Sequence, residues 1–137
     1  MWWMYALLSA FFAALTAIFA KVGIKGVDTD LATAIRTVVI LIIAWAIALL
    51  KGGTAGIFSL SRENLVFLVL SGIATGLSWI FYFKALQLGK VSQVAPIDKL
   101  SVALAILLSV LFLGESLTWK TSLGAGLIIC GTVILIL

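Results

Sequence analysis

The sequence predicts an all-α membrane protein with five transmembrane helices. Of its 137 residues, 64% are hydrophobic and only 10% are charged, whereas a soluble domain carries about 25% charged residues. The apolar residues form five continuous runs of roughly 20 residues, the length that a helix needs to cross a bilayer. No segment alternates with period two, as the strands of a membrane barrel do. With so little polar surface, residues 1–137 are predicted to form a single transmembrane domain.

The first two predicted helices are delimited by aromatic and acidic residues. The first covers about Trp2–Ala20, with aromatic residues at its outer end that suit the membrane interface. The second covers about Leu31–Leu50. Asp28 or Asp30 is expected to cap its amino end.

Glycine, serine and proline mark the connections of the remaining three helices. The stretch KGGTAGIFSLSRE is predicted to be a loop, and the third helix follows it over about Asn64–Leu86. The fourth helix begins at Val91 and ends at Gly114, with Pro96 in its first turns, where a missing amide donor costs little. The fifth helix covers about Thr121–Leu137.

Charge and cysteine content exclude several classes of function. The nine Lys and Arg residues are scattered and form no basic block, so no nucleic-acid partner is expected. The chain has a single cysteine, Cys130, and no histidine. We therefore expect no internal disulfide, no thiolate metal site and no cofactor. A membrane-embedded enzyme is disfavoured, because the helices carry no carboxylate pair and no serine with an obvious base.

The basic residues leave the orientation in the membrane open. Because five spans are odd in number, the two ends lie on opposite faces of the bilayer. Three bases fall on the amino-terminal face and six on the carboxyl-terminal face: Lys51, Arg62 and Lys120 against Lys21, Lys25, Arg36, Lys84, Lys90 and Lys99. The positive-inside rule then places the carboxyl-terminal face in the cytoplasm. If the three bases that lie within helical segments are not counted, the balance is even, and dual insertion with an antiparallel homodimer becomes the alternative.

Four charged residues are predicted to lie at similar depth near the same ends of helices two, three and four: Arg36, Lys84, Asp98 and Lys99. Charged groups within a span often mark a solute pathway, so we expect a gate in which Asp98 pairs with one of the bases. In the alternative, the bases extend to the headgroups and Asp98 helps to cap its helix.

Two further groups of residues are candidates for a pocket and for a subunit interface. Trp79 and Tyr82 are predicted to line a pocket for an apolar or cationic solute, or else to face lipid at the interface. Gly124 and Gly131 are seven residues apart and therefore share one stripe of the fifth helix. Small residues allow helices to approach closely, so this stripe is predicted to join two subunits, with packing inside one subunit as the alternative.

The stretch FYFKALQLGKVSQVAPIDKLSVALAILLSVLFLGE, followed by a glycine-rich last helix, resembles the EamA domain of the drug/metabolite transporter superfamily. The length, with five spans, and the segment LATAIRTVV make the chain most similar to the five-helix bacterial/archaeal transporter family of that group. The resemblance implies a multi-pass protein of a prokaryotic plasma membrane. It also implies half of a ten-helix inverted-repeat fold, in which a second chain supplies the missing half.

Gly124 and Gly131 also resemble the glycine pair with which small multidrug resistance transporters dimerise. Those proteins carry an essential acid in the first helix, and here residues 5–20 contain no charge. Proton coupling through such an acid is therefore not expected. From the resemblance to EamA proteins, we expect a homodimeric transporter that moves a small solute through the bilayer by alternating access. The alternative is a non-transporting membrane subunit that supports assembly of a larger complex.

Overall fold

A computed structural model describes the backbone of all 137 residues and every side chain except those of Thr54, Ala55 and Phe58. All regular structure in the described residues is helical. The α-helices are α1 (Trp2–Gly23), α2 (Thr29–Leu50), α3 (Arg62–Leu88), α4 (Val91–Asp98), α5 (Leu100–Leu113) and α6 (Trp119–Ile136). Five segments are long and apolar enough to cross a membrane, with α4 and α5 together forming the fourth. The predicted fold class is confirmed.

Side-chain caps fix the starts of two helices. The carboxylate of Asp28 accepts hydrogen bonds from the amides of Asp30 and Leu31, both at 3.0 Å, so Asp28 is the residue that caps α2. The hydroxyl of Thr118 accepts a hydrogen bond from the amide of Thr121 at 3.2 Å and caps α6. The fifth span therefore starts two residues before its predicted position.

The connection between α2 and α3 differs from the predicted loop. Gly52, with φ of 69°, ends α2 in the left-handed region, which favours glycine. A 3-10 helix then covers Gly53–Ser59, and Ser61 accepts a hydrogen bond from the amide of Asn64 at 3.1 Å as α3 begins. The glycine and serine residues predicted an irregular segment, but local hydrogen bonds wind it into a short helix.

The fourth span is broken, although the sequence predicted one continuous helix. Pro96 has no amide hydrogen to donate to the preceding turn. The amide of Lys99 bonds to the carbonyls of Ala95 at 3.3 Å and Pro96 at 3.0 Å, a tightened turn that ends α4. A new helix, α5, begins at Leu100. The proline therefore divides the span into a short half-helix and a longer one.

The chain divides into two compact units, one of residues 1–18 and 88–137 and the other of residues 19–87. The core of the second unit lies at the carboxyl-terminal end of α3, where Phe83 and Leu86 are fully buried. In the first unit, the hydroxyl of buried Thr132 of α6 shares its proton between two carbonyls, that of Ile128 in the same helix at 2.8 Å and that of Pro96 at 3.2 Å. Most other apolar side chains point outward, as expected of helices surrounded by lipid.

Candidate functional site

The predicted site residues fall into three places. Arg36, Trp79, Tyr82 and Lys84 lie on α2 and α3 in the unit of residues 19–87. Asp98 and Lys99 lie at the break of the fourth span. The two glycines lie on α6.

Arg36 stacks on aromatic rings of α3. Its guanidinium carbon lies 4.1 Å from the centroid of the Phe83 ring and 5.7 Å from that of Trp79. Both distances fall within the roughly 6 Å range of a cation–π interaction. Because Trp79 and Phe83 are four residues apart on one helix, their rings lie on the same face and meet the same guanidinium. The structure thus brings Arg36 and Trp79 together, as members of one cluster.

One nitrogen of this guanidinium is left without a partner. Nη1 of Arg36 is buried and has no hydrogen-bond partner among the described residues. An unpaired buried polar group costs about 1–3 kcal/mol, and more when it is charged. Arg36 is itself half-buried. Its guanidinium therefore packs against protein and retains an unused donor.

Phe83 is the residue of this cluster that the sequence interpretation did not assign to the pocket. It is only 1% exposed and is the closer of the two rings to Arg36. Its position four residues after Trp79, on a face shared with it, was the available signal. Tyr82 is half-buried and its ring centroid lies 5.7 Å from that of Phe83. Lys84 is exposed.

The end of α3 that carries these rings is anchored by two polar side chains. Nζ of Lys21 donates a hydrogen bond to the carbonyl of Leu86. The side-chain amide of Gln87 donates to the carbonyls of Val27 at 3.0 Å and Ile24 at 3.5 Å. These bonds tie the last turn of α3 to the end of α1 and the segment after it.

Asp98 pairs with its neighbour Lys99. Oδ2 of Asp98 lies 3.1 Å from Nζ of Lys99, and the two side chains are 33% and 58% exposed. An ion pair at this exposure contributes only about 0–1 kcal/mol, so it can separate easily. It occupies the point where α4 ends and α5 begins. The pair therefore lies at the position in the fourth span where the backbone is least regular.

Gly124 and Gly131 are partly exposed on α6. A Cβ atom built on either glycine would meet nothing within 4 Å. Neighbouring residues line a shallow cavity of about 350 Å³, namely Trp119, Ser122, Leu123, Gly126, Leu127 and Cys130. Packing within this chain therefore does not account for the absence of side chains at Gly124 and Gly131.

An apolar groove of about 1090 Å³ lies between α2, the 3-10 helix and the first turns of α3. Its lining consists of Leu41, Ala44, Trp45, Ala48, Gly53, Ile57, Leu68 and Val69. Nothing among these residues offers a charged group to a polar solute. The Arg36 cluster does offer a charged group beside aromatic rings, so it is the better candidate for recognition of a polar solute.

Comparisons with known proteins agree with the membrane topology. Residues 1–137 match the model of the EamA-like transporter family. A Sinorhizobium protein described as an uncharacterized transporter in the cobO 3' region is 48% identical over 134 residues, covering 98% of this chain and 95% of that protein. An uncharacterized protein of Methanocaldococcus jannaschii is 32% identical over 74 residues, covering 54% of each chain. No solved structure matches the chain significantly.

Proposed function

The chain belongs to the EamA-like transporter family, and from this premise we propose that it is the protomer of a homodimeric carrier that moves a small solute by alternating access. The protein is a multi-pass membrane protein with five spanning helices. The family and the description of the Sinorhizobium relative point to transport and away from an enzyme.

The main support for this proposal is the position of Arg36. Arginine within a span is expensive, and it is kept where it faces protein or a water-filled cavity. A side chain that merely reached the headgroups would extend away from the protein. Here the guanidinium instead lies against Phe83 and Trp79 with a buried nitrogen. This supports a solute pocket that includes Arg36, Trp79 and Tyr82, with exposed Lys84 nearby in sequence at its entrance.

The broken fourth span supports a moving element. Transporters commonly place discontinuous helices at their substrate and ion sites, where a break allows two halves to move separately. The weak Asp98–Lys99 pair lies at such a break. We propose that this pair forms and separates as the pathway opens. The sequence-based expectation that Asp98, Lys99, Arg36 and Lys84 form one gate stays a prediction.

The homodimer follows from the size of the chain and from α6. The chain has five spans. As one transmembrane domain they would correspond to half of a ten-helix inverted-repeat carrier, which a second copy would complete. The open space beside Gly124 and Gly131 supports close approach of another helix at this face. Because the spans are odd in number, an antiparallel pair would reproduce an inverted repeat directly.

Cysteine crosslinking tests the dimer. Cys130 is exposed and precedes Gly131, so oxidation in lipid membranes is expected to produce a covalent dimer of the wild-type chain. The Cys130→Ser variant is the control and gives none. A wild-type chain that remains monomeric under the same conditions, and at several protein-to-lipid ratios, would contradict the proposed interface.

A substitution at the span break tests transport. In vesicles, Asp98→Asn is expected to abolish flux of a solute that the wild-type chain carries, while Asp30→Asn, at an exposed acid in the first turn of α2, leaves flux unchanged. Both variants are expected to fold, since an exposed ion pair adds little stability. Full flux in the Asp98→Asn variant would remove Asp98 from the mechanism. A chain that carries no solute of any charge class would favour the assembly-subunit alternative.

A further inference from the structure

Arg36 lies within the second membrane-spanning helix. Arg36 is the eighth residue of α2 (Thr29–Leu50), which places its Cα about 10 Å along the helix axis from Thr29 at 1.5 Å per residue. At this depth water does not satisfy a buried donor as it does at the surface. A partner for Nη1 must therefore be supplied by protein or by a bound molecule.

The protein residues described here do not supply that partner. No carboxylate among them forms an ion pair with Arg36. Of the two acids at the start of α2, Asp28 uses its carboxylate to cap the helix, and Asp30 is exposed. The faces of Phe83 and Trp79 interact with the positive charge but accept no hydrogen bond along the guanidinium plane. Arg36 is thus held in place by aromatic rings while a donor remains unused.

We propose that Arg36 binds the solute directly, and that the solute is a small organic monocarboxylate with an aromatic or apolar body. This inference rests on the proposed transport function and assigns a substrate class to the same pocket. A guanidinium presents donors in a planar fork that matches a carboxylate, and the pairing is stronger in a site from which water is excluded. Half-buried Trp79 offers the rest of its ring to the body of the solute.

The single positive charge of Arg36 favours a monocarboxylate over a phosphate, an amine or an amide. A dianionic phosphate would leave one negative charge uncompensated beside a single guanidinium, which is costly at low dielectric. A cationic amine would be repelled by Arg36, and the ring faces that could have received it are already in contact with the guanidinium. A neutral amide would place an NH2 group where the site requires an acceptor.

Matched ligand pairs test the substrate class. The wild-type protein in lipid nanodiscs is titrated with phenylpyruvate, 3-phenylpropanoate and benzoate, each alongside its amide, and with phenyl phosphate and phenethylamine. At least one carboxylate is expected to bind and raise the melting temperature, with affinity at least tenfold above that of its amide. Equal binding of the amide, tighter binding of phenyl phosphate or phenethylamine, or no carboxylate binding at millimolar concentration would overturn the proposal.

Two arginine variants localise the site. Arg36→Gln is expected to reduce carboxylate affinity to that of the amide, whereas Arg62→Gln, at an exposed arginine where α3 begins, leaves it unchanged. Arg36→Lys retains the charge without the planar fork, and an intermediate affinity is expected. Full carboxylate affinity in a folded Arg36→Gln variant would overturn the assignment.

Flux measurements test the monocarboxylate substrate class and the transport function independently of each other. If the protein carries a neutral or cationic solute and ignores carboxylates, the carrier function stands and the monocarboxylate assignment is overturned. If carboxylates bind in an Arg36-dependent manner but no solute crosses the vesicle membrane, the binding site stands and the transport function is overturned.

Discussion

Replacing Arg36 by glutamine should leave the fold nearly as stable as before. The variant loses cation–π contacts at 4.1 Å and 5.7 Å, which are worth about 0.5–2 kcal/mol each when partly desolvated. It also removes a buried charged nitrogen without a hydrogen-bond partner, and this relieves about 1–3 kcal/mol. The two effects are of similar size and opposite sign, so the free energy of unfolding is expected to change by about 1 kcal/mol or less.

If Arg36 had a structural role, its replacement would lower the free energy of unfolding much more. If the guanidinium were one half of a buried ion pair, its removal would cost about 3–5 kcal/mol, because the partner charge would be left unpaired. Thermal unfolding in lipid nanodiscs distinguishes the two cases, since about 1 kcal/mol corresponds to a few degrees in melting temperature for a chain of this length. Arg62→Gln provides the reference for loss of an exposed arginine. A fall of more than about 10 °C for Arg36→Gln alone would refute the argument that this guanidinium is held for a ligand.

Three other predictions concern the Arg36 cluster, the span break and the subunit interface. Phe83→Leu keeps an apolar side chain but removes the ring closest to Arg36, so carboxylate affinity should fall about threefold to tenfold in a titration while the melting temperature falls by several degrees. Thr132→Val removes the hydroxyl bonded to the Pro96 carbonyl and should destabilise the fold by about 0.6–1.7 kcal/mol. Amide hydrogen exchange at the start of α5 should become faster. Unchanged exchange there would mean that Thr132 does not support the break. Gly131→Ile should leave the monomer folded, since a Cβ there meets nothing within 4 Å, but should reduce crosslinking between subunits; undiminished crosslinking would exclude Gly131 from the interface.

The order and lengths of the spans were predictable because apolar runs of about 20 residues have one stable arrangement in a bilayer. Each of the five predicted helices is present, and the expectation that Asp28 or Asp30 caps α2 resolves to Asp28. The ends were less predictable, since α1 continues to Gly23 and α3 begins at Arg62. Polar residues at these ends extend a helix into the headgroup region at little cost, and hydropathy does not register them.

The break at Lys99 was not predicted because proline in the first turn of a helix is normally tolerated. Pro96 is the sixth residue of the span, beyond the first turn, and it has no amide hydrogen to donate to the preceding turn. Thr132 of α6 helps to stabilise this region by donating to the Pro96 carbonyl. That contact joins residues distant in sequence, and nothing in the local pattern indicates it.

The candidate site was partly predictable. A charged residue inside a span made Arg36 a candidate site residue, and the aromatic residues of α3 predicted a pocket lined by Trp79 and Tyr82. The sequence did not determine which ring would contact the guanidinium, because this depends on how α2 and α3 are rotated about their axes. In the structure that ring belongs to Phe83.

Solute counterflow in reconstituted vesicles tests the central claim of a carrier most directly. Vesicles loaded with an excess of the unlabelled carboxylate that binds most tightly are diluted into medium that contains a trace of the labelled compound. An alternating-access carrier predicts that the label accumulates transiently above its equilibrium level and that Arg36→Gln abolishes this overshoot while Arg62→Gln preserves it. Uptake that rises only to equilibrium, or that equals uptake into protein-free vesicles, would contradict the account.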